Sequence, residues 1–242
     1  MSKKEIGRIL NKRTFFVYFF TYMLFLFVSN KETSIIGMFG GFSVSANSGL
    51  DVVKIMEWNL CVLPPVAVSI LFMDEELGTL GFYTILRTKS LRQWWSIRWA
   101  TIAIANIIYV FVGIVLSLVR EKDIGYNRDL YGLFIIIFFV HTFVMSVISV
   151  LTFILCKSLN VSMLLFGGVE IFMTVTGSVY PKASSYLLPF WGMIKNKNFL
   201  FQNPLIHMLI TVGISIGIVL TLIIYTIKWL KSETVANYIK SR

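Results

Sequence analysis

LYGLFIIIFFVHTFVMSVISVLTFILC, residues Leu130 to Cys156, contains no aspartate, glutamate, lysine or arginine. A helix that crosses roughly 30 Å of hydrocarbon needs about 20 predominantly apolar residues, and this stretch exceeds that length without one full charge. Read outward from it, the same criterion marks six candidate spans: Thr14–Ser29, Lys54–Met73, Trp94–Val119, Leu130–Cys156, Ser162–Tyr180 and Leu205–Trp229. The first is short and can extend into Ile35–Phe42. The second contains Pro64-Pro65, which removes backbone donors and predicts a kink or a break.

Composition agrees. Of 242 residues 57% are hydrophobic and only 14% charged, against roughly 45–50% and about 25% in a soluble domain. A water-soluble fold could not hide that much apolar surface. The net charge of +10 would suggest nucleic acid in a soluble protein, but here the basic residues fall in short connections and tails. They do not line a stripe with interleaved aromatics, so no nucleic-acid partner is expected, and the lipid bilayer is. Cys61 and Cys156 lie in apolar runs with no metal-ligand spacing and read as small buried hydrophobes. The run Thr14–Val28 ends in Ser-Asn-Lys-Glu without a small-residue cleavage site, which argues against a cleavable signal peptide.

Lysine and arginine orient the chain. With the N-terminus inside, the inner segments hold Lys3, Lys4, Arg8, Lys12, Arg13, Arg87, Lys89, Arg92, Arg98, Lys157, Lys228, Lys231, Lys240 and Arg242, 14 of the 22 basic residues. The other 8, Lys31, Lys54, Arg120, Lys122, Arg128, Lys182, Lys195 and Lys197, fall outside. The positive-inside rule then places both termini in the cytoplasm.

Three further segments do not span. In residues 1–13, Ile6, Ile9 and Leu10 share a helical face surrounded by Lys3, Lys4, Arg8 and Lys12, the pattern of an amphipathic helix lying in the interface. Residues 74–93 form an inner segment, charged at both ends. Residues 181–203 form an outer segment too apolar for a free loop, with Tyr186, Leu187, Leu188, Phe190 and Trp191 around Pro189 and Gly192. It reads as a broken hairpin dipping back into the membrane, where irregular backbone survives only under cover of protein or water.

The inner segment is the most informative. Asp74-Glu75-Glu76-Leu77-Gly78-Thr79-Leu80 places acidic residues as at a helix start, where the macrodipole favours them, and Gly78 allows a tight bend. Ile85 to Arg92 continues as a basic amphipathic stretch, and Trp94, Trp95 and Trp99 mark the interface at which the next span begins. An ordinary re-entrant loop with acidic caps and snorkelling arginines accounts for the same residues.

Together, the amphipathic N-terminal helix, a second span running into E-E-x-G-T-L, a basic Ser/Arg stretch and a membrane-dipping segment before the last span resemble the permease subunit of ABC transporters of the ABC-2 (type V exporter) class. The likeness covers the whole chain in topology and Glu75 to about Arg98 in motif. Arg87-Thr88-Lys89-Ser90-Leu91-Arg92 lacks the proline of the Pro-x-Ser-Arg turn common in that class, and Ile97-Arg98 stands where a Gly-Lys pair often opens the third span.

The resemblance implies an all-α integral membrane protein, one transmembrane domain over 1–242. It would comprise an interfacial helix (1–13), spans at 14–29, 54–73, 94–119, 130–156, 162–180 and 205–229, a coupling segment (74–93) and an outer re-entrant segment (181–203). A coupling helix within Glu75 to about Leu86 would sit in a cleft of a cytoplasmic ATPase subunit. Glu75 and Glu76 would pair with basic groups there, and Leu77, Leu80 and Phe82 would anchor it, with Gly78 and Thr79 between. No G-x-x-x-x-G-K-[ST] occurs in the chain, so ATP and magnesium belong to that ATPase, expected in two copies beside a second permease chain, identical or homologous. No cofactor, metal or catalytic role is expected of this chain. The expected setting is a bacterial plasma membrane, and the expected cargo an amphipathic or antimicrobial peptide. Drugs, lipids and lipid-linked glycans stay open.

Glu170 is the acidic residue placed well inside a span. A mid-bilayer charge costs at least about 2.5–3.5 kcal/mol on insertion scales, so it either lines a substrate path or is protonated and hydrogen-bonded between helices, or else it lies close to the outer end or simply ties helix five to a neighbour. Gly167-Gly168 before it permits close helix approach. Two readings from other classes remain. One is a non-transporting sensor or immunity protein binding a peptide at its outer face. The other, more distant, is an intramembrane protease; Leu80 stands where that class carries arginine, and His141 and His207 lie far apart.

Overall fold

The computed structural model describes residues 12–28, 39–44, 50–78, 91–120, 128–193 and 204–229. All secondary structure among them is helical: α1 (Lys12–Val28), α2 (Val52–Leu77), α3 (Leu91–Arg120), α4 (Arg128–Cys156), α5 (Leu159–Val179), α6 (Pro181–Ser184), α7 (Leu188–Trp191) and α8 (Pro204–Trp229). Five of these, α2 to α5 and α8, are long and apolar enough to cross a membrane, as in a multi-pass membrane protein. With 17 residues, α1 rises only about 26 Å at roughly 1.5 Å per residue. Its apolar run is Phe16–Phe25.

Local chemistry sets the helix ends. Asp51 caps α2, accepting a hydrogen bond from the Lys54 N–H at 3.2 Å and an ion pair from Lys54 Nζ at 3.0 Å. The linkage from α4 to α5 is two residues long. Lys157 turns it with a φ of 56°, the left-handed conformation with which helices commonly end, and Ser158 then caps α5. So short a link makes α4 and α5 antiparallel neighbours.

The bundle is built around α2 and α4. Helix α4 packs against α2, α3, α5 and α8, and α2 also touches α1, α3 and α5. Their apolar windows are 67% and 61% buried, whereas those of α5 and α8 are only 22% buried. The outer helices therefore turn residues such as Leu164, Phe172, Leu209 and Leu220 away from the protein. An aromatic chain threads the core. Phe39 stacks on Phe138 at 4.4 Å, Trp58 meets Phe138 edge-on at 5.9 Å, and Tyr22 stacks on Tyr109 at 4.8 Å.

Three expectations need correction. Of the kink or break expected at Pro64-Pro65, the break does not occur: α2 continues to Leu77. Asp74, Glu75 and Glu76 consequently form the last turn of that helix, not the first turn of another, and lie at the dipole end that disfavours them. Trp94, Trp95 and Trp99 do not face an interface: all three are buried, with Trp94 edge-on to Trp95 at 5.1 Å and Trp95 stacked on Trp99 at 5.7 Å.

Candidate functional site

The acidic end of α2 meets the beginning of α3. Glu76 lies on the inward face of α2 and Arg98 on the inward face of α3, and Arg98 Nη2 stands 2.7 Å from Glu76 Oε2. The Arg98 guanidinium also lies over the Trp94 ring, 5.0 Å from its centroid, a cation–π contact strengthened by desolvation. Of the residues assigned to partner contact, Glu76 and Leu77 are thus buried inside the chain, while Glu75 is exposed. Glu76 is used internally because an acid at the dipole's negative end requires a cation, and Arg98 supplies it. Gly78 ends the helix at φ −71° in extended backbone, its N–H bonded to the Asp74 carbonyl at 3.0 Å; no left-handed bend is needed there. Thr79, Leu80 and Phe82 lie outside the described residues, as do residues 1–11 of the expected interfacial helix.

Glu170 sits midway along α5 on its buried face, with Ser162, Phe166, Thr174 and Ser178. Glu170 Oε1 has no hydrogen-bond partner among the described residues. Among the described residues, a Cβ at Gly167 or Gly168 would meet nothing within 4 Å. Glu170 is not alone among buried acids: Glu57, in the first turns of α2, is buried too.

The described part of the segment 181–203 folds back onto the bundle as α6 and α7. Phe190 presses on α5 where Gly177 leaves room; a Cβ there would come within 2.2 Å of its ring. Gly192 likewise makes space for the His141 ring, and Gly41, at φ 70°, for Met193. Phe42 meets Phe190 edge-on at 6.0 Å, so the 39–44 segment and α7 close over the same end of the bundle. Pro189 is buried with Phe190, the Trp191 indole N–H donates to the Ser185 carbonyl at 3.1 Å, and Tyr186 stays exposed. Residues 194–203 of this segment lie outside the described residues.

Sequence reasoning missed one interior polar pair. Asn106 of α3 and Ser146 of α4 are within hydrogen-bond distance, Nδ2 to Oγ at 3.3 Å. His141 lies against Trp58, with ring centroids 5.5 Å apart, and lines a cavity of about 10 Å³ with Thr211 and Ser215. A larger apolar groove of about 410 Å³ runs between α4 and α8, bounded by Leu151, Leu155, Leu222 and Tyr225. Among the described residues no three His, Cys, Asp or Glu side chains gather as a metal site would need.

No family model, curated protein or solved structure matches this chain.

Proposed function

We propose that this multi-pass protein is the permease subunit of an ATP-driven exporter of the ABC-2 class. In this reading α1 completes six spans, both termini face the cytoplasm of a bacterial cell, and the segment 181–203, which contains α6 and α7, dips into the membrane from outside. A second permease chain and two copies of an ATPase complete the assembly. ATP and magnesium stay on the ATPase, and the cargo is an amphipathic molecule such as a peptide.

The closed joint between Glu76 and Arg98 is the observation that supports the reading most. The chain between Gly78 and Leu91 leaves α2 and returns into α3. A push delivered there reaches both helices together, because the buried ion pair holds their ends as one body. Such a joint suits force entering from a cytoplasmic motor, and the two arrangements of the bundle would then be biased by the motor's state. Exposed Glu75 remains the acidic residue available to a basic surface on the ATPase.

The test is purification of the gently solubilised chain from its native host, followed by mass spectrometry of its companions. Glu75→Arg combined with Leu80→Asp is the comparison, since Glu76 is structural. Recovery of a P-loop ATPase with the native chain and its loss with the variant is expected. Absence of any such ATPase from the native preparation overturns the reading.

A further inference from the structure

Proline lacks an N–H, so in a helix it leaves the carbonyl four residues earlier without its donor. In α2 this happens twice in succession: Pro64 releases the carbonyl of Leu60, and Pro65 that of Cys61. In an apolar medium a freed carbonyl must be satisfied by a neighbouring group. The Cys61 carbonyl is satisfied from another helix: the Tyr109 hydroxyl of α3 donates to it at 2.8 Å, fully buried.

Tyr109 is itself gripped by α1. Tyr22 stacks on its ring and donates its hydroxyl to the Tyr109 carbonyl at 3.1 Å, while Tyr18 meets the ring edge-on at 4.8 Å. Gly113, one turn along α3, leaves the space this requires; a Cβ there would lie 2.6 Å from the Tyr22 hydroxyl oxygen. Helix α3 therefore holds α2 at two points. Arg98 grips Glu76 beyond the prolines, and Tyr109 grips Cys61 just before them.

We propose that α2 is two rods hinged at Pro64-Pro65, with α3 as a splint and the Tyr109 hydroxyl as the latch that sets the angle between them. A backbone bond within α2 would survive any movement of α3. This one is made between helices, so it opens when the two part at that level, and the rod bearing Glu76 then swings relative to the rod bearing Trp58. The hinge concerns α2 and α3 alone and stands independently of the transport reading.

The experiment measures the distance between spin labels at Val53 and Leu71, exposed positions on either side of the prolines. It uses the full chain in lipid nanodiscs, with Cys61 and Cys156 replaced by alanine. Tyr109→Phe, which removes only the hydroxyl, is expected to broaden or shift the distance distribution. Pro65→Ala, which returns an N–H to the Cys61 carbonyl, is expected to restore a narrow one in the Tyr109→Phe background. In parallel, Tyr109→Phe should favour unfolding by about fivefold with Pro65 present, the worth of one net hydrogen bond, and by clearly less with alanine there. A Tyr109→Phe distribution identical to the native one overturns the proposal. So does a broadened distribution that Pro65→Ala fails to narrow.

Discussion

Glu76 and Arg98 form an ion pair of 2.7 Å with side chains only 5% and 3% exposed, joining the last turn of α2 to the second turn of α3. The two charges are desolvated together. Each alone would be far more expensive to hide than the pair, and Glu76 would also oppose the dipole of its own helix.

Breaking the pair from one side is expected to be severe. Glu76→Leu or Arg98→Met alone should lower stability by about 3–5 kcal/mol, because the remaining charge stays buried. The double replacement by these apolar residues should recover most of that loss. Thermal unfolding in detergent measures both. Single variants as stable as the native chain would mean that the two side chains are separately solvated.

Two glycines of α5 carry opposite expectations. Gly177→Ala forces its methyl into the Phe190 ring and should destabilise by about 1–3 kcal/mol through overpacking. Gly168→Ala has open space and should leave stability unchanged or raise it by up to about 1 kcal/mol through helix propensity. Melting temperatures of the two variants, purified side by side, check the contrast. Equal losses would contradict the packing of α7 on α5.

The helices were legible because hydropathy is a property of one segment at a time. Leu130–Cys156 needs no partner to be read as a span, and α4 covers it. The joints were not legible, because they depend on which faces meet. Arg98 looks in sequence like one more basic residue at a membrane boundary, and Trp94 like an interfacial anchor; only the approach of α2 turns both inward. Half of the α2–α3 latch was legible: Pro65 announces an orphaned Cys61 carbonyl, but nothing in the local sequence names Tyr109, 48 residues away, as its donor. In the segment 181–203, Phe190 is buried while Tyr186 is exposed, a difference that composition alone does not assign to either residue.

At the other end of α2, Asp51 carries a pH dependence. The hydrogen bond from Lys54, reinforced by its charge, holds the Asp51 carboxyl below its ordinary value against a smaller opposing effect of burial. The unfolded chain therefore binds this proton more readily, so the contribution is complete above the unfolded value of about 3.9 and is lost as pH falls through the lower folded value. Asp51→Ala should cost about 1 kcal/mol, the usual worth of an N-cap. The difference in melting temperature between native and Asp51→Ala chains is expected to be constant from pH 7 to 5 and to shrink below pH 4. A difference that grows on acidification would reverse the assignment.

Glu170 poses the sharpest question about function. Its carboxyl is buried in the middle of α5 with Oε1 unpartnered among the described residues, and an unsatisfied buried polar group costs about 1–3 kcal/mol. Methionine fills a similar volume without that penalty, so Glu170→Met is expected to raise the melting temperature. If that gain in stability is found, the carboxyl is kept for something other than packing, in the way functional sites commonly trade stability for activity. Under the permease proposal the Glu170→Met protein, reconstituted with its ATPase, should be more stable and yet impaired in transport, with ATPase assembly intact. A more stable variant with full transport would make Glu170 a dispensable polar residue. A less stable one would mean that the carboxyl has a partner that already offsets its burial.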